Sequence, residues 1–336
     1  MFEWDKGVAF EEETRMIGRI GSTRMEEVQL EGLTELCWQY KELCANEKAK
    51  MRACRRTCDH AIDHKEGASP PWRPIYPMSA YQLEKLNKYL YKILTEGKIV
   101  HRKSPAGAPI LFLSKPDRTL QLCVDYSQLN KLTILNKYPL LLRTEVRHSV
   151  AGATLLTKLH MKDSYDLIRT QKGHEWQTAF RTRYGHYEYK IMPFGLVKAP
   201  ATFSAMMNTI LAEFLDQGAV VYLDGILIYL KRMEEHETLG KQVLARLERH
   251  DLVVSLKKTV FHVDTVEFLR FIVGKSGVKM SEKKVENIRK WKAPRSVKEV
   301  QIFIRFANFY RAFIENFLKI WKAIAETLKT KGGKHL

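Results

Sequence analysis

The chain has 336 residues, enough for two or three compact units with hydrophobic cores. Hydrophobic residues make up 45% and charged residues 28% of the chain, which excludes global disorder. The formal net charge is +18, from 56 basic and 38 acidic residues, and this excess favours an anionic partner such as nucleic acid. Because the sequence has no run of about 18 apolar residues, no membrane span and no membrane partner are expected.

Residues 1–56 are predicted to be a charged lead-in that is helical or poorly ordered. No targeting signal is recognised there, because the segment lacks the basic and apolar regions of a signal peptide and is too acidic for a transit peptide. Five cysteines in a chain of this length indicate reduced intracellular thiols. A zinc site is left open by Cys54, Cys58, His60 and His64, but their loose spacing favours plain surface residues.

The next segment contains a predicted linker and a predicted helix. Three prolines between residues 70 and 74 predict a stiff linker over residues 57–77, since proline blocks helix formation. Ser79 and Gln82 then form a capping box, an apolar stripe follows, and Gly97 closes the segment. These signals predict a helix between Ser79 and Gly97.

Further along the chain, alternating apolar runs predict strands and periodic apolar runs predict helices. Strands are expected at 108–113, 120–126 and 155–161, one or two more around 184–192, and hairpins at 220–229 and 261–273. Helices are expected at 199–214 and around 239–247. Ser296 and Glu299 predict a second capping box, and the aromatic stripe after it indicates a packed helix face. Strands interrupted by helices, with a helical end, predict an α+β protein.

The most informative segment is the single acidic turn between two apolar runs at residues 220–229. On spacing alone, Asp224-Gly225 predicts a type I′ hairpin turn. A strand beside such a turn could also present carboxylates to metal ions. Polymerisation of nucleotides uses two divalent ions about 3.5–4 Å apart, and Mg²⁺ prefers hard oxygen ligands. The pattern alone leaves the structural and the catalytic interpretation open.

Several motifs in a fixed order carry a family resemblance. They are Asp59–Asp63, Pro74–Ser79, Lys103–Pro109, Leu122–Tyr126, Gln177–His186, Met192–Leu196, Ala199–Phe203, Tyr222–Asp224 and Phe306–Arg311. In this order they resemble the reverse transcriptases of gypsy-type (Metaviridae) LTR retrotransposons, especially those of fungi. The resemblance implies a right-hand polymerase fold, with fingers and palm at 78–250 and a primer-grip hairpin with a helical thumb or connection at 251–336.

The same resemblance implies Mg²⁺-dependent synthesis of DNA by three carboxylates. This chain has His160 at the first of these positions, Asp224 at the second and Gly225 at the third. Asp224 is therefore the one metal ligand that is retained, and histidine is a poor ligand for Mg²⁺. Asp163 is not expected to replace it, because strand alternation would turn Asp163 away from the face of His160.

Other site residues are implied by the resemblance in the same way. The nucleotide-binding residues are expected to be Lys115, Gln121, Met161 and Tyr165. The primer–template residues are expected to be Phe194, Gly195, Arg270 and Phe271. Gln121 stands in place of the triphosphate-binding arginine of the family, and Arg270 replaces a glycine of the hairpin that grips the primer.

Three hypotheses about function follow. The first is a reverse-transcriptase-like domain without catalytic activity, since losing even one preorganised electrostatic group costs ~2.7–4 kcal/mol in barrier. The second keeps binding of primer–template nucleic acid, an RNA/DNA duplex, as an inert binder or a non-catalytic subunit. The third is a weakly active polymerase. The resemblance further implies dNTP as a ligand, leaves a dimer open, and implies an intracellular location in the cytoplasm or the nucleus.

Overall fold

The computed structural model describes residues 58–114, 119–139, 141, 143–150 and 152–330. The predicted lead-in over residues 1–56, Cys54 and the predicted nucleotide-binding Lys115 lie outside these residues. Of the helices described, none combines the length and the apolar character needed to cross a bilayer.

The described chain alternates between strands and helices. The strands are β1 (Ile99–His101), β2 (Ile110–Ser114), β3 (Leu120–Val124), β4 (Leu155–His160), β5 (Phe180–Thr182), β6 (Gly185–Tyr189), β7 (Ala219–Tyr222), β8 (Gly225–Leu230), β9 (Val260–Val263), β10 (Thr265–Phe268), β11 (Phe271–Gly274) and β12 (Gly277–Met280). The helices are α1 (Ala80–Thr95), α2 (Ser127–Leu132), α3 (Arg143–Ser149), α4 (Ala199–Ile210), α5 (Met233–Arg249), α6 (Glu282–Arg289), α7 (Val297–Phe309) and α8 (Phe317–Thr330). This composition confirms the predicted α+β class.

The first helix forms as its sequence signals predict. The Ser79 side chain accepts from the Gln82 backbone N–H, and Gln82 accepts in return from the Ser79 backbone N–H at 2.9 Å. This reciprocal pair satisfies two donors that the first turn of a helix leaves without partners. The apolar stripe packs inward, with Leu86, Leu90 and Ile93 buried.

Four small sheets organise the rest of the described residues. β1, β6 and β5 form one sheet in that order, and β2 and β3 form a separate hairpin. The central sheet has the order β7-β8-β4-β9, and all of its pairs are antiparallel. Residues 225–229 of the inner strand β8 are all buried, which agrees with the continuous apolar run in the sequence. Helices α4 and α5 contribute Phe203, Val243 and Leu247 to the same core.

The C-terminal part combines the β10-β11-β12 sheet with helices α6 to α8. Phe271 of β11 packs its ring on Phe309 and Phe313, at centroid distances of 5.8 and 5.3 Å. The predicted aromatic stripe is therefore a packing face. At the start of α7, Ser296 accepts from the Glu299 backbone N–H as predicted. The Glu299 carboxylate accepts from the backbone N–H of Arg295 and not from that of Ser296, so only one of the two hydrogen bonds of the predicted capping box forms.

Two predicted elements differ in extent from the observed ones. The segment predicted as one hairpin at 261–273 is divided between two sheets, because β9 joins the central sheet and β10 pairs with β11. The helix predicted at 199–214 ends at Ile210, and turns lead from there to β7. Residues 58–78 join this fold by backbone pairing, for example from Arg73 N–H to the carbonyl of Gly107.

Candidate functional site

The hairpin tip between β7 and β8 is built by backbone pairing. Tyr222 pairs with Gly225, so the two-residue loop consists of Leu223 and Asp224. Leu223 has a φ of +51°, whereas Asp224 and Gly225 have negative φ. A positive φ at the first loop residue alone is the pattern of a type II′ turn. The predicted type I′ turn at Asp224-Gly225 is therefore wrong, because strand pairing takes Gly225 into β8.

The end of β4 lies directly beside this tip. His160, the last residue of β4, is the register partner of Gly225. The next backbone N–H, that of Met161, donates to the carbonyl of Asp224 at 2.7 Å. The two elements therefore bring together the three positions that the resemblance assigns to catalytic carboxylates.

A lysine completes the charged groups at this position. The Lys258 ammonium donates to His160 Nε2 at 3.3 Å, and the same Nε2 lies 3.5 Å from Asp224 Oδ2. We call His160, Asp224 and Lys258 the central trio. Burial lowers the pKa of His160, Asp224 opposes this shift, and Lys258 and Lys158 add to the lowering. Because an ammonium group is only a donor, this hydrogen bond requires an uncharged imidazole whose Nε2 is the acceptor.

Lys258 is a site residue that the sequence reasoning missed. It is separated from His160 by 98 residues and lies in a short 3₁₀ turn, Leu256–Lys258, just before β9. The local sequence there has no metal or nucleotide motif that would single out this lysine from its neighbour Lys257. Only the pairing of β4 with β9 in the central sheet places it at the tip.

The central trio does not fit a pair of magnesium ions. Such a pair needs several hard oxygen donors aimed at one point, and the trio supplies a single carboxylate. Gly225 offers no side chain, and the ring nitrogen of His160 that faces Asp224 already accepts from an ammonium group. Over the described ranges, no three His, Cys, Asp or Glu side chains are arranged to hold a metal ion.

Asp163 lies outside the strand that was expected to orient it. β4 ends at His160, and Asp163 adopts a left-handed conformation with φ +46° at the start of the 3₁₀ turn Ser164–Leu167. Strand alternation therefore does not apply to Asp163, and that part of the prediction is wrong. The side chain is exposed.

The predicted nucleotide-binding residues occupy different places. Met161 is buried and contacts the tip through its backbone. Tyr165 is half-buried, with its ring 4.7 Å from that of Phe194, and burial raises its pKa with a smaller contribution from Asp224. Met161 and Tyr165 therefore lie near the tip. Gln121 is exposed on β3, opposite Leu113, in the separate β2–β3 hairpin.

The predicted primer–template residue Phe194 lies on a loop that the Asn130 side chain holds at two points. Phe194 is 54% exposed, although its ring touches that of Tyr165. Gly195 has a φ of +96°, and its carbonyl accepts from Asn130 Nδ2 at 2.8 Å. Asn130 Oδ1 accepts from the Val197 N–H at 2.9 Å, so one amide side chain holds both sides of the loop.

The predicted primer-grip residues lie on the β10–β11 hairpin. Phe268 pairs with Phe271, so Leu269 and Arg270 form the loop, and both have positive φ, +54° and +66°. A loop with two left-handed residues is the type I′ turn, for which glycine is favoured. This explains why the resemblance places a glycine where the chain has Arg270. The ring of Phe268 lies beside Gly225, at 3.2 Å from an ideal Cβ built there.

Of the candidate zinc ligands, the structure describes Cys58, His60 and His64, and among the described residues these do not belong to a metal-holding group. His60 is 1% exposed, and its Nδ1 lies 3.0 Å from Thr202 Oγ1. Burial lowers its pKa to about 4, and the nearby ammonium of Lys198 adds to the shift. The interpretation as a plain surface residue is thus wrong for His60, which belongs to the core. Cys58 and His64 are half-buried.

Comparison with known proteins places this geometry in a family. Residues 64–273 match the family described as reverse transcriptase (RNA-dependent DNA polymerase). The transposon Tf2-3 and Tf2-4 polyproteins of Schizosaccharomyces pombe are each 34% identical to the chain over 254 residues. The match covers 76% of this chain and 19% of each polyprotein, so the chain spans about a fifth of their length.

Solved structures show the same fold. The foamy viral protease–reverse transcriptase in complex with dsDNA has a TM-score of 0.79 and 22% identity, covering 97% of this chain and 67% of that chain. The complex of that protein with an RNA/DNA hybrid has a TM-score of 0.76, covering 96% and 43%. The chain therefore has the right-hand polymerase fold. It belongs to the reverse transcriptase (RNA-dependent DNA polymerase) family, as the reverse transcriptase domain of a gypsy-type LTR-retrotransposon polyprotein.

Proposed function

We propose that this reverse transcriptase domain binds primer–template nucleic acid and does not polymerise DNA. The central trio is the observation that carries the proposal. Members of the family use divalent metal ions, and here one carboxylate remains beside a neutral imidazole and an ammonium group. The end of β4 and the β7–β8 tip still lie side by side, so the substitutions affect the chemistry of the site and not its scaffold.

The size of the expected defect supports this proposal. One preorganised electrostatic group contributes about 10²–10³ in rate, so losing two lowers the rate by about 10⁴ or more. The side chains at 160 and 225 would hold the same pair of ions, so losing either one is expected to cost nearly as much as losing both. We therefore expect no measurable primer extension with Mg²⁺, and none with Mn²⁺, which an imidazole could ligate better.

The distribution of charge supports nucleic-acid binding. Residues 251–336 contain 19 basic and 8 acidic residues, a net charge of +11 out of +18 for the whole chain. This is the part that contains the β10–β11 hairpin and the helices α6 to α8. The related fold of the foamy viral protein was solved with dsDNA and with an RNA/DNA hybrid. We propose an RNA/DNA primer–template as the ligand here, in an intracellular setting.

Two assays on the full chain test the proposal. Primer extension on a primed RNA template, with Mg²⁺ and separately with Mn²⁺, is expected to give no product, and sustained synthesis would refute the inactive site. Fluorescence anisotropy with a labelled RNA/DNA duplex is expected to show binding whose affinity falls steeply between 50 and 200 mM salt, as counterion release requires. Absent or salt-insensitive binding would refute the nucleic-acid ligand.

A further inference from the structure

The charged groups at the hairpin tip are mainly positive, whereas a site for metal ions needs mainly negative groups. Around the His160 ring the charged neighbours are one carboxylate, Asp224, and two ammonium groups, Lys258 and Lys158. Lys158 is additionally held by a hydrogen bond to the carbonyl of Glu267 at 2.8 Å. A position with more ammonium than carboxylate groups attracts anions and repels divalent cations.

Lys258 is positioned by the backbone on both sides. The Ser255 N–H donates to the carbonyl of His160 at 2.8 Å, and the Lys258 N–H donates to Ser255 at 3.1 Å. On the other side, Thr259 Oγ1 accepts from the His160 N–H at 3.3 Å. The turn that carries the ammonium is thus attached to the residue that the ammonium contacts. The backbone of the fold therefore directs the Lys258 ammonium group towards the hairpin tip.

The ammonium group keeps the capacity to bind a ligand. Lys258 is exposed, and a lysine has three N–H donors, of which one is used on His160. The His160 side chain is 20% exposed, and its Nε2 accepts one hydrogen bond from the ammonium group, which keeps its positive charge. Lysine binds phosphate oxygens as a compact point charge.

The geometry points to a phosphate-binding site that works without a metal ion, formed by Lys258 with His160 as its support. The inference rests on the proposed function, because nucleic acid or nucleotide would bring the phosphate to the tip. The phosphate comes either from the backbone of a bound strand or from a free nucleotide, and both present the same oxygens. Magnesium is not required here, and it competes by binding those oxygens itself.

Isothermal titration of the full chain with inorganic pyrophosphate and with a dNTP, in EDTA and in Mg²⁺, tests the site. We expect binding in EDTA that weakens when Mg²⁺ is added. Lys258→Ala is expected to weaken it about tenfold or more, as for a hydrogen bond between charged groups. Lys257→Ala is the matched control, since it removes the same charge at the adjacent exposed position, and it is expected to change the affinity less than about twofold.

A second variant distinguishes loss of the phosphate site from loss of the fold. His160→Asp places a carboxylate against Lys258, so it is expected to weaken pyrophosphate binding while the ammonium is still present. A requirement for Mg²⁺, an equal loss in Lys257→Ala and Lys258→Ala, or unchanged binding in His160→Asp would each overturn the inference. Thermal melting of every variant shows that it is folded.

Parallel measurements with the RNA/DNA duplex separate the source of the phosphate from the proposed function. If a strand supplies the phosphate, Lys258→Ala weakens both duplex and pyrophosphate binding. If a free nucleotide supplies it, only pyrophosphate and dNTP binding weaken. A wild-type chain that binds no duplex refutes the proposed function, while the pyrophosphate titration still decides the phosphate site.

Discussion

Replacing both His160 and Gly225 by aspartate is expected to raise Mg²⁺-dependent primer extension far above that of the wild-type chain. The two residues are register partners across β4 and β8. The Cβ atoms of such partners lie about 4.5–5.5 Å apart, so two new carboxylates would meet beside Asp224. Three carboxylates at one point are what a pair of magnesium ions needs.

The expected gain can be estimated from the number of restored groups. Each preorganised group is worth about 10²–10³ in rate, so the pair should raise the rate by about 10⁴–10⁶ over the wild-type chain. Each single variant should gain far less, because groups that hold the same ions act as a unit. The double variant still has Gln121 where the resemblance implies a triphosphate-binding arginine. We therefore expect it to remain slower than a reverse transcriptase that has this arginine and all three carboxylates.

The structure indicates that the double variant will fold. A Cβ at residue 225 would lie 3.2 Å from Cε2 of Phe268, so that ring must move by a few tenths of an ångström. Such overpacking beside the buried Phe268 typically costs about 1–3 kcal/mol in the free energy of unfolding, which a stable fold tolerates. At residue 160 an aspartate would pair with Lys258, which lies 3.3 Å from the present ring nitrogen.

Primer extension on a primed RNA template, at matched protein concentration and in Mg²⁺, measures the gain. The control is the double variant with Asp224→Asn added, which keeps the shape of the tip and should lose the new activity. A double variant that is folded, binds the duplex and still gives no product would refute the reasoning. Equal activity of His160→Asp alone and of the double variant would refute the need for both carboxylates.

Three further predictions concern stability. Burial lowers the pKa of His60 from 6.5 to about 4, so the unfolded chain binds this proton more tightly than the folded chain. The contribution of His60 to the free energy of unfolding should be fully present above pH 6.5 and fall by about 2 kcal/mol at pH 5. Urea unfolding at pH 7 and at pH 5 measures the difference. Asn130→Ala should cost about 1–3 kcal/mol and speed hydrogen exchange at Gly195 and Val197, which Asn130 holds. Phe271→Ala should cost about 3–5 kcal/mol in urea unfolding, because its buried ring joins β11 to Phe309.

Each of these predictions has its own control and contradicting outcome. His60→Gln should reduce the pH dependence without removing it, because burial also lowers the pKa of His236 to about 4. A pH dependence as steep in His60→Gln as in the wild-type chain would show that His60 is not buried as described. Unchanged hydrogen exchange at Gly195 and Val197 in Asn130→Ala would show that the two hydrogen bonds of Asn130 do not hold this loop. Phe271→Leu should retain most of the stability, and a loss as large as that of Phe271→Ala would point to a specific ring contact instead of apolar burial.

The features that the sequence predicted well depend on contacts close in the chain. The capping box at Ser79 and the apolar stripe behind it lie within one helix, so helix α1 formed as expected. The same locality explains one error. Asp224-Gly225 is a strong local turn signal, but the register between β7 and β8 moved the loop back by one residue.

The features that the sequence could not predict depend on partners far along the chain. Lys258 contacts His160 across 98 residues, and nothing around it marks it as a site residue. His60 stands in a polar segment, yet its partner Thr202 lies 142 residues away in the core. The burial of a polar side chain is decided by where the fold supplies a hydrogen-bond partner, and that information is tertiary.

The left-handed backbone at Leu223 limits which substitutions the β7–β8 loop can accept over evolutionary time. Glycine and asparagine adopt that backbone easily, whereas valine and isoleucine do so at a high cost. This filter acts through folding and takes no account of ions or nucleotides. The outline of the loop can therefore persist whether or not the site is active, so the Tyr222–Asp224 motif by itself gives no evidence of catalytic turnover.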